Sequence, residues 1–284
     1  MSLEQTLLAI ANSDIERAVA LALEVHEAPT PSLLAPALVG YLTAALQDGV
    51  YDEPTAFAEF IDNGTNPSLY ALTIEMVGAR HRELHPTSVL DIGCGDGRVT
   101  RTVLQSDVAT IDLVDPSAEL LSLAAKSVEI PGRWVGAHNL SLSDFLDGLD
   151  SDERWQLAQS TFALHSLEPN ERRAALEYLR PRVDRLLIVE FDVPAYTDRT
   201  IEHARYAVAR YETGVAEYAD HPRVITGFLM PVLVGQFNPE HPRLTFEQPI
   251  ASWTDDLHRA GFESVERKAV ANYWWAPAVM IEAF

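Results

Sequence analysis

Cysteine is nearly absent from this chain of 284 residues, where Cys94 stands alone. A single thiol excludes an intrachain disulfide and any paired-cysteine metal motif, and it fits a reducing compartment. Lysine is almost as scarce, with Lys126 and Lys268 the only two. Acidic residues outnumber basic ones by 42 to 21, for a formal charge of -21. Such a surface repels phosphate backbones and anionic headgroups, so neither nucleic acid nor a membrane is expected as a partner. No apolar run approaches the ~20 residues that span a bilayer. The opening segment, MSLEQTLLAIANSDIERAV, lacks the basic start and the cleavage site of a secretory signal. The expected location is cytoplasmic.

What is present is ordinary globular material, 47% hydrophobic and 22% charged, enough to bury a core. Residues 1–62 read as helix after helix, with apolar positions at helical spacing in 3–10, 15–25 and 33–46. Gly64 and Pro67 then break the pattern, and Pro67 suits the first turn of a helix running to Arg82. From Ser88 short apolar strands alternate with helical stretches: SVLDI, a helix at 97–105, ATIDLV, a helix at 117–127, RWVGA, a helix at 142–147, WQLAQS, a helix at 169–179, and DRLLIVEF. That alternation predicts an α/β fold with a parallel sheet covered on both faces. A long excursion follows, residues 192–249, with a helix at 199–218 and the apolar stretch VITGFLMPVLVGQF interrupted by Gly227, Pro231 and Gly235. The chain closes on a helix stopped at Gly261 and two strands, SVERKAV and PAVMIEAF, joined by NYWW as a hairpin. The expected organisation is a helical lid or dimerisation region at 1–62 and a core at 63–284 carrying a cap at 192–249.

The stretch LDIGCGDGR, residues 90–98, lies where the strand SVLDI feeds a helix. Gly93, Gly95 and Gly97 let backbone N–H groups approach a ligand, and the following helix start adds positive dipole. The second strand ends in Asp115, about 20 residues beyond the turn, the spacing at which a carboxylate meets a ribose diol. Its alternative role is to cap the helix beginning at Pro116. The glycines are spaced GxGxG, whereas the pyrophosphate fingerprint GxGxxG would need a glycine in place of Arg98.

LDIGCGDG after a strand, followed by VDPS, resembles the cofactor-binding motifs of class I S-adenosylmethionine-dependent methyltransferases. The resemblance runs from Ser88 to the end, through the fourth-strand pattern LAQSTFALHSLEP, the helix leading to AGF and the terminal hairpin. It implies a Rossmann-like, mostly parallel seven-stranded sheet with an antiparallel terminal strand. It also implies S-adenosylmethionine as cofactor, with Asp91, Gly93, Gly95 and Gly97 at its amino-acid part and Asp115 on its ribose. After the third strand, where many relatives place an acidic adenine contact, this chain reads GAHNLSLSDF. Asn139, ahead of Ser141 and Asp144, is the candidate there, and Ser160 at the end of the fourth strand is a further cofactor-side candidate.

His165 follows the fourth strand at the end of the sheet where open α/β folds bind ligands, and is the candidate base, the alternative being a histidine that packs beneath the cofactor. Glu190, beside Phe191 and Asp192, is a candidate for binding substrate or capping a helix. Tyr70 and Tyr206 are candidates for facing the sulfonium and substrate, while Trp274 and Trp275 read as core. Among the arginines of the excursion, Arg243 is the candidate for gripping a substrate carboxylate, with Arg199, Arg205 and Arg223 as alternatives. Histidines 203, 221, 241 and 258 form no recognised metal motif, so no metal is expected. These readings add up to a methyltransferase acting on a small molecule in specialised metabolism, compatible with a homodimer. The alternatives are a noncatalytic S-adenosylmethionine-binding partner or scaffold, and an NAD-dependent dehydrogenase.

Overall fold

The short Val-, Ile- and Leu-rich runs after Ser88 become the strands of one sheet in the computed structural model. The structure describes residues 2–29, 31–48, 54–240 and 243–284. In chain order the elements are α1 (Leu3–Ala11), α2 (Ile15–His26), α3 (Leu34–Asp48), α4 (Pro54–Asp62), α5 (Asn66–Leu84), β1 (Ser88–Ile92), α6 (Thr100–Val103), β2 (Thr110–Val114), α7 (Ala118–Val128), β3 (Trp134–His138), α8 (Leu142–Asp147), β4 (Trp155–Thr161), α9 (Pro169–Leu179), β5 (Val183–Phe191), α10 (Ile201–Glu217), α11 (Pro222–Val224), α12 (Met230–Phe237), α13 (Ile250–Arg259), β6 (Val265–Ala271) and β7 (Ala278–Ala283).

The sheet has seven strands in the order β3-β2-β1-β4-β5-β7-β6, and β7 runs antiparallel to both of its neighbours. Successive residues of each strand serve opposite faces. On one face Leu90, Ile92, Ala158, Leu186, Ile188 and Ile281 pack under α8, α9 and α13. On the other, Val89, Leu157, Leu187, Val189 and Met280 pack under α5, α6 and α7. Both faces being covered explains why the parallel strands read as unbroken apolar runs.

The chain divides into two units. The sheet unit comprises 69–194, 245–272 and 276–284, and the helical unit comprises 1–68, 195–244 and 273–275. In the helical unit, Glu212 of α10 accepts from the backbone N–H groups of Leu33 and Leu34 at 2.6 and 3.2 Å and from the Ser32 hydroxyl at 3.0 Å. A carboxylate there satisfies N–H groups that the start of α3 leaves unpaired and suits its positive end. Asn66 is a second tie: its amide donates to Phe60 O and to Tyr218 Oη, both at 2.7 Å, and its carbonyl accepts from Tyr273 Oη at 3.0 Å.

Two local expectations change. The helix read at 97–105 is a single turn, α6, because Gly97 takes φ +74° and Leu104 is extended. One turn has little dipole to offer, so that part of the ligand argument falls away. Gly227, Pro231 and Gly235 do not break the apolar stretch they sit in. Between α11 and α12, residues 225–229 form a wide π turn, and Pro231 falls in the first turn after it. The widened turn is where a missing N–H is tolerated.

Candidate active site

β1 and β4 are neighbours, and the chain leaves them toward opposite edges of the sheet, which opens a crevice beyond their C-terminal ends. The glycine turn lies there. Gly93 and Cys94 both donate to Val114 O, at 2.8 and 3.2 Å, so the turn is pinned to the end of β2. Gly93 has φ +67°, and a Cβ on it would lie 2.3 Å from that of Ala163, the loop after β4. Gly97 is held as closely against α7, where a Cβ would meet Ala124 Cα at 2.8 Å. Gly95 differs, since nothing lies within 4 Å of its missing Cβ. The turn is packed at both shoulders and open at its crest, a cradle into which a ligand's backbone-facing end fits.

Asp115 is 7% exposed. Its carboxylate accepts from Gly95 N and Ser117 N, both at 2.8 Å, and thereby ties the crest of the turn to the end of β2. The helix cap falls to Ser117, whose hydroxyl accepts from Leu120 N. Two amides occupy two of about four acceptor positions on the carboxylate, which leaves room for a diol. Asn139 is exposed, and its amide donates to the carbonyls of Asp115 and Pro116 at 3.2 and 2.8 Å. Ser160 is buried and gives its hydroxyl proton to Ile92 O at 3.0 Å, bracing β4 against β1.

Asp91 is 3% exposed, on the face covered by α5 and α6. Burial pushes its carboxyl up to about 6, against the pull of hydrogen bonds from Thr100 and Gln159 and with the push of the Asp115 charge. Cys94 lies among the same carboxylates, and burial with their charge pushes its thiol up, so that it is no nucleophile.

At the ends of β4 and β5 a second group converges. Phe162 is held at φ +51°, a left-handed conformation that few side chains adopt, and its ring stacks on Phe191 at 4.7 Å between centroids. Tyr70 of α5 meets Phe162 edge-on at 5.9 Å, with the Arg98 guanidinium 5.5 Å from its ring centre. Burial pushes the Tyr70 phenol up to about 12, against the pull of Arg98. His165 Nδ1 lies 2.8 Å from Glu190 Oε2, and His165 N donates to Glu190 Oε1 at 3.1 Å. Burial alone would depress this imidazole, but the Glu190 charge and hydrogen bond, with Glu247 beyond, raise it to about 9.

Glu190, read as a substrate ligand, thus has both oxygens on His165 and stands behind the ring. With Nδ1 taken, Nε2 is the nitrogen left for an acceptor, on a side chain 15% exposed. The His165 carbonyl accepts from Phe246 N at 2.6 Å, and the buried Arg172 donates to Phe246 O at 3.0 Å while lying over Trp253. Asp192 accepts from Ile250 N at 2.8 Å and caps α13.

The structure therefore gathers Tyr70, Asp91, the three glycines, Asp115, Asn139, Ser160, His165 and Glu190 in the sheet unit. Tyr206 and Arg243 belong to the helical unit. Tyr206 donates to Trp275 O at 2.7 Å, and Arg243 pairs with Asp198. His203 is stacked between Tyr196 and Phe237, His221 pairs with Glu59 at 3.0 Å, and His258 bonds Phe262 O at 3.0 Å. His241 lies outside the described residues, among which no group of three or more metal-ligating side chains gathers. Sequence reading missed Phe162, Thr100, Gln159 and His81. The signal for the last two was a polar residue on an otherwise apolar strand face and on the stripe 73, 77, 81 of a helix.

Residues 89–183 match a family model described as a methyltransferase domain. The chain is similar to malonyl-[acyl-carrier protein] O-methyltransferase of Halalkalibacterium halodurans, at 41% identity over 58 residues, 19% of this chain. The match spans about a fifth of that relative, 21% of its length. Among solved structures, SCL7 of Oryza sativa aligns over 100% of both chains with a TM-score of 0.65 and 14% identity. Magnesium protoporphyrin IX methyltransferase of Synechocystis PCC 6803 with bound S-adenosylhomocysteine aligns over 81% of this chain and 94% of that one, with a TM-score of 0.53 and 14% identity. Both structures share the fold.

Proposed function

We infer, for a chain whose residues 89–183 match a methyltransferase-domain family model, that it transfers the methyl group of S-adenosylmethionine to a small-molecule acceptor. The observation that carries the reading is the junction of Gly95 with Asp115: an open glycine crest hydrogen-bonded to the carboxylate that ends β2. Asp91, Gly93, Gly95 and Gly97 would hold the amino-acid part of the cofactor, Asp115 the ribose, and Asn139 the adenine side. When bound, the cofactor supplies an electrophilic methyl on a sulfonium. Tyr70, Phe162 and Phe191 offer aromatic faces that suit a cation and exclude water.

His165 takes the acceptor's proton on Nε2, while Glu190 fixes the ring and balances the charge it gains. The acceptor is then an oxygen, nitrogen or carbon acid. Residues 1–62 would serve as a lid or dimerisation region, and 192–249 as a cap inserted in the core at 63–284. No described helix is long and apolar enough to cross a membrane. The acidic surface and lone cysteine support a cytoplasmic enzyme, and an excursion this large suits a dedicated acceptor of specialised metabolism.

Thermal unfolding in the presence of S-adenosylmethionine, S-adenosylhomocysteine or NAD tests the cofactor. A ligand at about 100 times its Kd stabilises by ~2.7 kcal/mol. Stabilisation by the first two alone is expected. A response to NAD alone would overturn the reading, and binding without turnover across an acceptor panel would mark a noncatalytic binder.

A further inference from the structure

Four buried polar side chains form a string beneath the glycine turn, and the proposed chemistry uses only the last of them. His81 of α5 is fully buried, and its Nε2 lies 2.8 Å from Gln159 Oε1. Gln159 Nε2 donates to Thr100 Oγ1 at 3.1 Å, and the Thr100 hydroxyl donates to Asp91. The strand register sets Asp91 directly beside Gln159.

The string has a direction. A hydroxyl carries one proton, so with that proton on the Asp91 bond the Thr100 oxygen accepts from the Gln159 amide. The Gln159 carbonyl then accepts from His81, which places the ring proton on Nε2. Every donor in the series points toward Asp91. His81 Nδ1 is left as a bare acceptor, buried with no hydrogen-bond partner. That is the state of a neutral ring, and burial does hold His81 below the ordinary histidine range. An apolar side chain on the stripe of Thr73 and Val77 would carry no orphaned atom of its own but would leave the buried Gln159 Oε1 without this donor, so the histidine is accounted for by the string rather than by packing.

Resting on the cofactor reading above, we propose that His81 and Gln159 are positioning residues for the cofactor's amino-acid end: their string aims the Thr100 hydroxyl and holds the Asp91 carboxylate as the anionic partner of the cofactor's ammonium. Neither residue touches the cofactor. His81 acts through Gln159, and Gln159 both through Thr100 and on Asp91 itself, so the string needs a donor at its far end rather than a histidine as such.

The test is calorimetric binding of two ligands to the full chain: S-adenosylhomocysteine, which has the ammonium, and 5′-methylthioadenosine, which has the adenosine and sulfur without the amino-acid chain. Thr100→Val, nearly isosteric, is expected to weaken the first ligand about tenfold, the loss of one hydrogen bond to a charged group. His81→Leu should weaken it by a smaller factor, and His81→Gln, which keeps an N–H donor, should stay near the wild type. Affinity for 5′-methylthioadenosine should not change in any of them. Equal weakening of both ligands, no weakening of the first, or identical behaviour of His81→Gln and His81→Leu would overturn the proposal. If His81→Leu fails to fold, Thr100→Val decides by the same two ligands. Wild-type protein that binds neither ligand would overturn the cofactor reading itself.

Discussion

The sheet unit and the helical unit bury polar groups for different ends. In the sheet unit a group of them lies at the ends of β1, β2, β4 and β5, where the ladder has already fixed the backbone: Asp91 beside Gln159, Asp115 on the Gly95 N–H, His165 with Glu190. In the helical unit they join pieces of chain that no ladder joins. Glu212 caps a helix start 178 residues away, and Asn66 ties Phe60, Tyr218 and Tyr273. A buried polar group next to fixed backbone can be given over to chemistry, whereas one between separate helices is occupied with assembly.

The sharpest way to break this contrast is at His165. His165→Ala is expected to lower kcat by about 10²–10⁴-fold with the Kd for S-adenosylhomocysteine retained, as for loss of a general base; unchanged turnover would end that assignment. The base must be neutral, and the Glu190 carboxylate raises the ring to about 9, so kcat should climb with pH and reach half-maximum near 9. Glu190→Gln removes the charge and leaves burial in control, which should move that midpoint to or below the ordinary histidine value of about 6.5. A profile that does not move would separate the two residues.

Backbone packing at the same site comes next in size. Gly93→Ala adds a left-handed alanine at about 1–2 kcal/mol and a methyl against Ala163 at about 1–3 kcal/mol. Chemical denaturation should show that loss, while Gly95→Ala, at φ +53° but with nothing within 4 Å of the added methyl, shares only the backbone cost of about 1–2 kcal/mol, should lose less stability, and should lose cofactor affinity. The helical unit supplies the opposite signature. Asn66→Ala removes one hydrogen bond from each of the Tyr218 and Tyr273 hydroxyls, at about 1–3 kcal/mol together, and should raise hydrogen exchange in α4 and α10 with no change in S-adenosylhomocysteine affinity. Glu212→Gln is a smaller change, about 0.3–1 kcal/mol of lost charge at a helix start and about 0.5–1.5 kcal/mol for the N–H bond that the amide nitrogen cannot accept. If either variant weakens the cofactor as much as it loosens the helices, the division of labour fails.

Much of the sheet unit was legible because its signals are local. Buried parallel strands write themselves as short apolar runs, and a glycine turn between a strand and a helix has one place to be. Gly93, Gly95, Gly97 and Asp115 follow from spacing, and His165 from its place after β4. The shortness of α6 was not legible, since Gly97 looks the same in sequence whether it starts a helix or takes φ +74°. Nor was Glu190's place behind His165, because which face of β5 meets the loop after β4 is settled by register. Phe162 shows no sign in sequence of its left-handed backbone. In the helical unit the sequence marks α1, α2, α3 and α10 but not α4, α11 or α12, and it carries no trace of which distant segment caps a helix.

The reach of Glu212 to Ser32 and its neighbours has a consequence for synthesis. The two partners are separated by 180 residues. A ribosome adding about 5–20 residues per second would deliver the carboxylate roughly 9–36 s after the hydroxyl it binds. Throughout that interval the first helices exist without the helix that completes their unit, showing apolar faces to whatever is nearby. The nascent chain is therefore most exposed to holdase chaperones and to its own neighbours on a polysome during the time it takes to translate the sheet.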